Sequence, residues 1–459
     1  MNATHPGYGA HARETLALGL PLIGSSLAQM ALQVVNTVMV GWYGALALAA
    51  LVLGSSTFII LFIMGTGFAK AVMPLAAAAR ARGDEADLRR SARMGLWLSC
   101  GFTLLVSPVF WFADPILLAL GQEERVAAMA GDYLRIAGLA LAPALGVAVL
   151  QGWLAALGRT QVVLWVTVAA VGVNVVMNWF LIFGNGGAPA LGILGAAIAS
   201  LVVQVASLVV LALYAALLPA LRVHQLFARF WRVDRQALVQ VFRLGLPIGF
   251  TGLAESGLFQ ASAVMMGWIG TVELAAHGIA LEATAIAFMI HLGLSSAVTI
   301  RVAAFAGRGE ARALRDAALV AIVISLAVVL CVIVTFVVWP GAIIRLFLDT
   351  SLPDSPRIVE LGIRFLLMAA IFQTADAMQA IALGMLRGLR DTKVPMWIAA
   401  ISYWAIGLPA GYLLAFHAGL EGVGLWAGLV VGLAATAAGL MTRFWLLAPK
   451  PGMAGEPAL

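Results

Sequence analysis

Apolar runs of membrane-spanning length alternate with short polar segments along nearly the whole chain. Twelve such runs occur, each far longer than a strand of a membrane barrel. Because unpaired backbone groups are intolerable in hydrocarbon, the runs predict transmembrane α-helices and no sheet. The pattern indicates an all-α polytopic membrane protein. The predicted helix centres are Met30, Ile60, Gly101, Leu141, Val171, Val202, Leu253, Phe288, Ser325, Ile371, Trp404 and Leu433.

Basic residues are concentrated in alternate loops. The loop after predicted helix 2 contains Arg80 and Arg82, and the loops after helices 8 and 10 contain Arg308 and Arg387. The loops after helices 1, 5, 7 and 11 contain no Lys or Arg. Lys and Arg of short loops are retained on the cytoplasmic side, so we expect both termini to be cytoplasmic.

The second half of the chain repeats the first. Leu18–Pro21 returns as Leu244–Pro247, and Arg82–Asp84 corresponds to Arg308–Glu310, both at a spacing of 226 residues. Later matches drift to spacings of 232 and 229. Six helices per repeat is an even number, so both halves enter the membrane from the same side. This predicts two six-helix lobes related by a pseudo-two-fold axis, facing each other across a cleft.

One long basic and polar connector, which follows predicted helix 6, separates the two halves. The predicted organisation is a cytoplasmic N-terminal segment (1–12), an N-lobe of helices 1–6 (13–220), a cytoplasmic linker (221–240), a C-lobe of helices 7–12 (241–448) and a cytoplasmic tail (449–459).

Composition agrees with a lipid-embedded chain. Of 459 residues 63% are hydrophobic and 10% charged, and the mean hydropathy is +1.02. The net charge of +6 follows from the loop arginines, so it does not call for a nucleic-acid partner. Cys100 and Cys331 lie in apolar runs without metal-binding or redox spacing, and we expect both to pack in the core.

Several segments are distinctive in combination: Asn36–Gly41, the surroundings of Glu255, Ala275–His277, Gln373–Gln379 and Leu386–Gly388. Together they resemble the multidrug and toxic compound extrusion (MATE) family, and within it the NorM-like branch. The resemblance extends over about residues 13–447 and implies export of cationic or amphipathic drugs, driven by inward flow of sodium ions or protons through a V-shaped two-lobe fold.

Two carboxylates occur near the centres of apolar runs. Glu255 lies 12 residues after Arg243 and 13 before Trp268, and Asp376 is at a similar depth in predicted helix 10. Carboxylates inside a membrane are costly and usually mark an ion or substrate path. If the two share one site, it binds a proton or a small hard cation such as Na⁺, which makes Glu255 and Asp376 the candidate cation-coupling and metal-binding residues. The alternative is a packing role with neutralising neighbours.

The first half has no equivalent charge pair. At the 226 spacing Glu255 corresponds to Gln29, and at the 232 spacing Asp376 corresponds to Ala144. Many relatives have an aspartate where this chain has Asn36, and an Asn or Asp pair at Asn174 and Asn178. These residues form a predicted neutral cluster, either functional or an amide network that only joins helices.

Glu282 completes the secondary candidates, either beside Glu255 or lining the cleft. A lipid or lipid-linked oligosaccharide flippase remains the nearest alternative function, although it would need a more cationic cleft. No HExxH, GxSxG or paired-aspartate constellation supports an enzyme. We expect a monomer in a bacterial inner (plasma) membrane, with drugs and lipid as partners, no nucleic acid, and no cofactor besides the coupling Na⁺ or H⁺.

Overall fold

The computed structural model describes residues 7–348 and 354–449, and these ranges contain helices and turns without a strand. Twelve of their helices are long and apolar enough to cross a membrane, so the predicted all-α fold with twelve spans is confirmed. The spans are α1 (Tyr8–Tyr43), α2 (Ala45–Arg82), α3 (Glu85–Trp111), α4 (Glu124–Ala156), α5 (Thr160–Leu181), α6 (Ile193–Leu217), α7 (Arg235–Ile269), α8 (Thr271–Arg308), α9 (Ala311–Val338), α10 (Ser355–Gly388), α11 (Lys393–His417) and α12 (Glu421–Leu447).

Helix α11 differs from the other spans in its winding. Two stretches, Ile401–Gly407 and Leu413–His417, are π-helical and flank an α-helical turn. A π-helical turn contains an extra residue, which rotates the following side chains around the axis, and such turns are frequent at functional sites. Short helices also lie between spans, at Ala113–Ala119, Pro219–Arg222 and Pro340–Leu346.

The predicted linker 221–240 is partly helical in the structure. Helix α7 begins at Arg235 because the Asp234 side chain caps it, accepting hydrogen bonds from the backbone N–H groups of Gln236 (3.0 Å) and Ala237 (3.1 Å). The predicted terminal segments 1–12 and 449–459 lie largely outside the described residues.

The described chain divides into two compact units. Residues 24–249 form the N unit, and residues 7–23 together with 250–449 form the C unit. The divisions therefore fall inside α1 and α7 rather than in a loop. In each unit the most extensive helix contact joins equivalent helices of the repeat, α2 with α4 in the N unit and α8 with α10 in the C unit.

Close backbone approach fixes the two exchanged helix starts. In the N unit the start of α7 lies against α2, where a Cβ on Gly67 would come within 2.3 Å of the Gly245 carbonyl oxygen. In the C unit the start of α1 lies against α8, where a Cβ on Gly293 would come within 2.5 Å of the Ile23 nitrogen. Gly67 and Gly293 are repeat partners at the 226 spacing, so both contacts need glycine for the same steric reason.

Both cysteines are exposed and free, so the prediction that they pack in the core was wrong. In a polytopic protein an apolar helix face can point to lipid as readily as to the interior. Hydropathy alone does not distinguish the two faces.

Candidate functional site

The C unit brings four polar side chains together from α7, α10 and α11. The Gln379 amide nitrogen donates to Glu255 Oε1 at 2.6 Å and to Asp376 Oδ1 at 3.4 Å. The Tyr403 hydroxyl donates to the amide oxygen of the same glutamine. The two carboxylates predicted to share a site are therefore linked through one amide group, here called the acid cluster.

Helical spacing and burial explain how α10 contributes two members. Asp376 and Gln379 are three residues apart and so lie on one face of the helix. Their exposed fractions are 3% and 0%, whereas Glu255 is half-buried. A buried polar group must find a partner, and each of these side chains does so within the cluster.

Two hydroxyl groups of α8 attach it closely to α10 beyond the acid cluster. Ser295 Oγ donates to the Ala380 carbonyl at 2.6 Å, and Thr299 Oγ1 donates to the Gly384 carbonyl at 2.9 Å. A Cβ on Gly384 would come within 2.5 Å of Ser295, so the missing side chain permits this approach. These contacts fix the depth and rotation of α10 and hence of its two site residues.

The π-helical stretch of α11 supplies the fourth side chain and a second attachment. Tyr403 contacts α10 through Gln379, while the indole nitrogen of Trp404 donates to the Ala254 carbonyl on α7 at 3.2 Å. The Trp404 ring also covers Gly257, whose added Cβ would lie 2.7 Å from it. Two consecutive residues thus attach α11 to both helices that carry the carboxylates.

Amide donors and a nearby positive charge both face the two carboxylates. Gln379 presents N–H groups to both carboxylates, and Arg387, half-buried farther along α10, lies within electrostatic range of Glu255. A proton on either carboxylate, or a cation competing with the amide, would satisfy the same oxygens. The described residues contain no group of three or more His, Cys, Asp and Glu side chains placed to hold a metal ion. A Na⁺ ion here would need amide, hydroxyl or backbone oxygens to complete its shell.

Glu282 does not join the acid cluster through any hydrogen bond in the described chain. It is half-buried on α8. Its neighbour Thr284 accepts a hydrogen bond at its carbonyl from Gln373 of α10 at 3.4 Å. Its secondary role stays a prediction.

The three asparagines predicted to form a neutral cluster do meet in the N unit, from α1 and α5. The Asn178 amide nitrogen donates to Asn36 Oδ1 at 2.7 Å and to Asn174 Oδ1 at 3.1 Å, and Asn36 donates to Ser200 of α6 at 3.1 Å. Asn174 and Asn178 are one helical turn apart and almost fully buried. Every member of this amide cluster is neutral.

Gln29 belongs to a separate series of hydrogen-bonded polar side chains in the N unit. It donates to Gln151 of α4 at 3.3 Å, and Gln151 donates to Thr167 of α5 at 3.2 Å. No hydrogen bond among the described residues joins Gln29, Gln151 or Thr167 to Asn36. Gln29, the repeat partner of Glu255, thus contacts another amide where Glu255 contacts Gln379.

Two members of the acid cluster were not singled out from the sequence. Gln379 was within reach, because it lies three residues after Asp376 and would share its helix face. Tyr403 gave no local signal, since it lies in an apolar run of α11 and contacts Gln379 only through the packing of α11 against α10.

The helical fold and the charged site inside one unit define a polytopic membrane protein of the transporter class. The MatE family model matches residues 21–180 and 247–413, and the chain belongs to this family. The matched ranges begin at Pro21 and Pro247, which are repeat partners.

Relatives match over almost their full lengths. "Probable multidrug resistance protein NorM" of Agrobacterium fabrum is 43% identical over 441 residues, 96% of this chain and 95% of that protein. The protein of the same name from Rhizobium meliloti is 44% identical over 437 residues, 95% and 94% of the two chains. The predicted resemblance to the NorM-like branch is therefore confirmed.

Solved structures share the fold. The eukaryotic MATE transporter AtDTX14 matches with a TM-score of 0.84 at 23% identity, covering 97% of each chain. A MATE in complex with MaL6 matches at 0.87 and 20% identity over 95% of this chain and 96% of that one. A Pyrococcus furiosus MOP superfamily transporter, described as having a binding pocket of reverse polarity that suggests a different function, matches at 0.85 and 19% over 95% of both. The fold is thus common to proteins whose pockets differ in charge.

Proposed function

We propose that this chain is a secondary active multidrug transporter that exports cationic or amphipathic compounds by antiport with Na⁺ or H⁺. The observation that carries the proposal is the linkage of Glu255 and Asp376 through Gln379 inside one unit. A pair of carboxylates in a membrane protein is functional by default, and linked carboxylates can take up one positive charge together. The names of the NorM relatives support the substrate class.

The acid cluster supplies the coupling step in this proposal. When one proton or one Na⁺ is bound, one of the two negative charges is balanced, and the carboxylate that holds the ion releases its hydrogen bond from the Gln379 amide. When the ion leaves, the amide N–H groups again donate to both carboxylates. The site therefore has two hydrogen-bonding states that depend on the ion. Ion-dependent differences between states are what antiport requires. No catalytic residue and no cofactor other than the ion enter this scheme.

The remaining features of the proposal concern placement. In this proposal the protein is a monomer of a bacterial inner membrane with both termini in the cytoplasm, and the distribution of loop arginines supports that orientation. Glu282, Gln29 and the Asn36 cluster have secondary roles, and the lipid bilayer and the exported compounds are the partners.

Dye efflux from cells tests the proposal. Cells expressing the protein are loaded with ethidium, and efflux is followed after a sodium pulse and, separately, after a pH pulse. One of the two pulses should accelerate efflux in cells with the unaltered chain and in cells with the control variant Glu123→Gln, but not in cells with Glu255→Gln. Glu123 is exposed at the start of α4, and its side chain makes no capping bond there.

The flippase alternative is tested in the same membranes. A fluorescent lipid in reconstituted vesicles should change leaflet no faster than in protein-free vesicles. If dye accumulation were unchanged across a panel of cations while lipid translocation rose, the antiport proposal would be replaced by the flippase.

A further inference from the structure

The segment between α6 and α7, residues 218–234 of the N unit, has a defined structure although it is a loop. It begins with the short helix Pro219–Arg222 and continues in turns to the Asp234 cap of α7. Two of its non-glycine residues, Gln225 (φ 46°) and Arg229 (φ 55°), adopt the left-handed conformation. That conformation costs about 1–2 kcal/mol for such residues and persists where surrounding contacts enforce it.

Two side chains of α3 supply those contacts. The Arg93 guanidinium donates from Nε to the Leu226 carbonyl at 2.6 Å and from Nη2 to the Gln225 carbonyl at 2.8 Å. The Trp97 indole donates to the Phe230 carbonyl at 3.0 Å, and its ring stacks on Phe230 with centroids 5.9 Å apart. The segment is therefore bound along the side of α3 over about one helical turn.

The positions of Arg93 and Trp97 set the depth of the segment. Arg93 is the last charged residue of α3, and the stretch from Met94 to Ala113 contains none. Arg93 thus marks the boundary between the polar and apolar parts of α3. Trp97, one turn farther along, is of the residue type that prefers the membrane interface. This pattern predicts that the backbone bound by these two side chains lies at the level of the lipid headgroups.

The segment exposes both apolar and basic side chains. Trp231 is 75% and Val223 69% exposed. Six of its exposed residues, here together called the connector surface, are Arg222, Val223, Phe227, Arg229, Trp231 and Arg232.

The acidic groups near the segment are paired and do not offset the arginines. Asp234 forms an ion pair with Arg90 at 3.2 Å, and Glu85 contacts His224 at 2.5 Å. The connector surface itself contains no acidic residue. Its charge is complementary to an anionic partner.

We infer that the connector surface is a binding site for anionic phospholipid headgroups, with Trp231 and Phe227 at the acyl boundary and the three arginines on the phosphates. Basic residues at a membrane surface attract anionic lipids, and interfacial aromatic side chains add apolar contact. A freely moving polybasic loop would bind only diffusely. This segment is held in one conformation by Arg93 and Trp97, so its arginines and aromatic side chains act at a fixed depth.

Lipid titration of the full-length protein in detergent tests the inference. Phosphatidylglycerol is added, and the bound lipid is counted by native mass spectrometry while the midpoint of thermal unfolding is followed. The variant is R222Q/R229Q/R232Q. The matched control is R13Q/R312Q/K393Q, which removes three exposed charges elsewhere on the predicted cytoplasmic side.

The connector variant should need at least about tenfold more phosphatidylglycerol for half-saturation, since it lacks three arginines that attract anionic headgroups. The control should shift this value by less than about threefold, as general charge loss alone would. Trp231→Ala should weaken binding in the same direction, and Trp231→Phe should largely restore it.

Three results would overturn the inference. Equal shifts in the connector variant and the control would mean that net charge alone attracts the lipid. Equal retention of phosphatidylcholine would mean that the surface is merely apolar. If inorganic phosphate raised the unfolding midpoint as much as the lipid did, the ligand would be a free anion and not a headgroup.

Discussion

The acid cluster of the C unit and the amide cluster of the N unit are built on repeated helices, yet only one of them contains a charge. Glu255 and Asp376 are linked through Gln379, whereas Asn36 and Asn178 are linked by neutral amides alone. Burial is similar on the two sides, so the enclosure of polar groups belongs to the scaffold. What differs is whether a cation is needed to balance the site.

The comparison indicates that the repeat places side chains at equivalent positions in the two units, and that the residue type at each position determines whether the site is charged. Gln29 occupies the repeat position of Glu255 and donates to another amide. Each amide has both donors and an acceptor, so two neutral amides can hydrogen-bond to each other without an ion. The pair of carboxylates cannot do so, because like charges repel unless a proton, a cation or a set of donors lies between them.

Removing charge from the acid cluster should have the largest effect. Glu255→Gln and Asp376→Asn keep size and hydrogen-bonding groups, so each should abolish ion-driven ethidium efflux while membrane insertion stays intact. The double variant should be scarcely worse than either single one, since groups in contact act non-additively. Efflux rates in cells with matched expression measure this.

Full ion-driven transport in either single variant would remove that residue from the coupling step and make Glu282 the next candidate. Additive partial losses would instead divide the pair into two independent sites.

Gln379→Leu should reduce the efflux rate by about tenfold or more, because it leaves Tyr403 and both carboxylates without their shared partner, a loss worth roughly 1–3 kcal/mol. Gln151→Leu in the N unit removes a comparable amide and should reduce it less than about threefold. Initial efflux rates across a pH series provide the measurement. Similar losses in both variants would show that the amides matter for folding and not for coupling.

A buried arginine also distinguishes the units. Arg301 of α8 is 5% exposed and donates to the His11 carbonyl at 2.6 Å and to Thr15 Oγ1 at 3.1 Å, whereas its repeat partner is Leu75. Arg301→Leu should lower the stability of the C unit by about 2 kcal/mol, because the acceptors on α1 stay buried. The midpoint of thermal unfolding measures this loss of stability.

The substitution Leu75→Met at the repeat position, which keeps the volume and adds no donor, serves as the control and should cost less than about 1.5 kcal/mol. An unchanged midpoint in Arg301→Leu would show that water reaches the start of α1 and replaces the arginine.

Placing a charge in the amide cluster is expected to have a moderate effect. Asn36→Asp should change the pH dependence of efflux, since its carboxylate would lie beside Asn178, while Asn36→Ala should retain transport. The readout is the pH profile of efflux for both variants. Complete loss of transport in a folded Asn36→Ala protein would make the amide cluster essential.

The smallest expected effect lies outside the membrane spans, at the start of α3. Asp84 accepts a hydrogen bond from the Asp87 backbone at 3.0 Å, and this bond lowers the pKa of Asp84 from its usual 3.8. The cap therefore contributes its full stability above pH 3.8 and loses it as the pH falls through the lowered folded value. Asp84→Ala should cost about 1 kcal/mol at neutral pH and less in acid.

At the repeat position Glu310 makes no side-chain cap for α9 and instead pairs with Arg308 at 2.8 Å. Glu310→Ala should accordingly lower the unfolding midpoint less than Asp84→Ala does. An equal loss in the two variants at neutral pH would contradict the capping explanation.

The number of spans and their repeat follow from the sequence alone. Backbone groups in lipid must be satisfied within a helix, so a long apolar run has one structural solution, and Lys and Arg mark the loops. The midmembrane carboxylates could also be identified from the sequence, because a buried charge is conspicuous by its cost. The asparagines on α5 were predicted to share a face by their spacing of four residues.

Packing between helices sets which groups complete the site and where the compact units divide. Tyr403 lies in a π-helical stretch of α11 and contacts Gln379, and no local pattern in the sequence indicates that winding or that contact. The exchange of the starts of α1 and α7 between units depends on contacts at Gly67 and Gly293, far away in sequence. The exposure of Cys100 and Cys331 likewise could not be predicted from hydropathy. Helix rotation and close approach follow from packing between segments, and hydropathy along one segment does not contain that information.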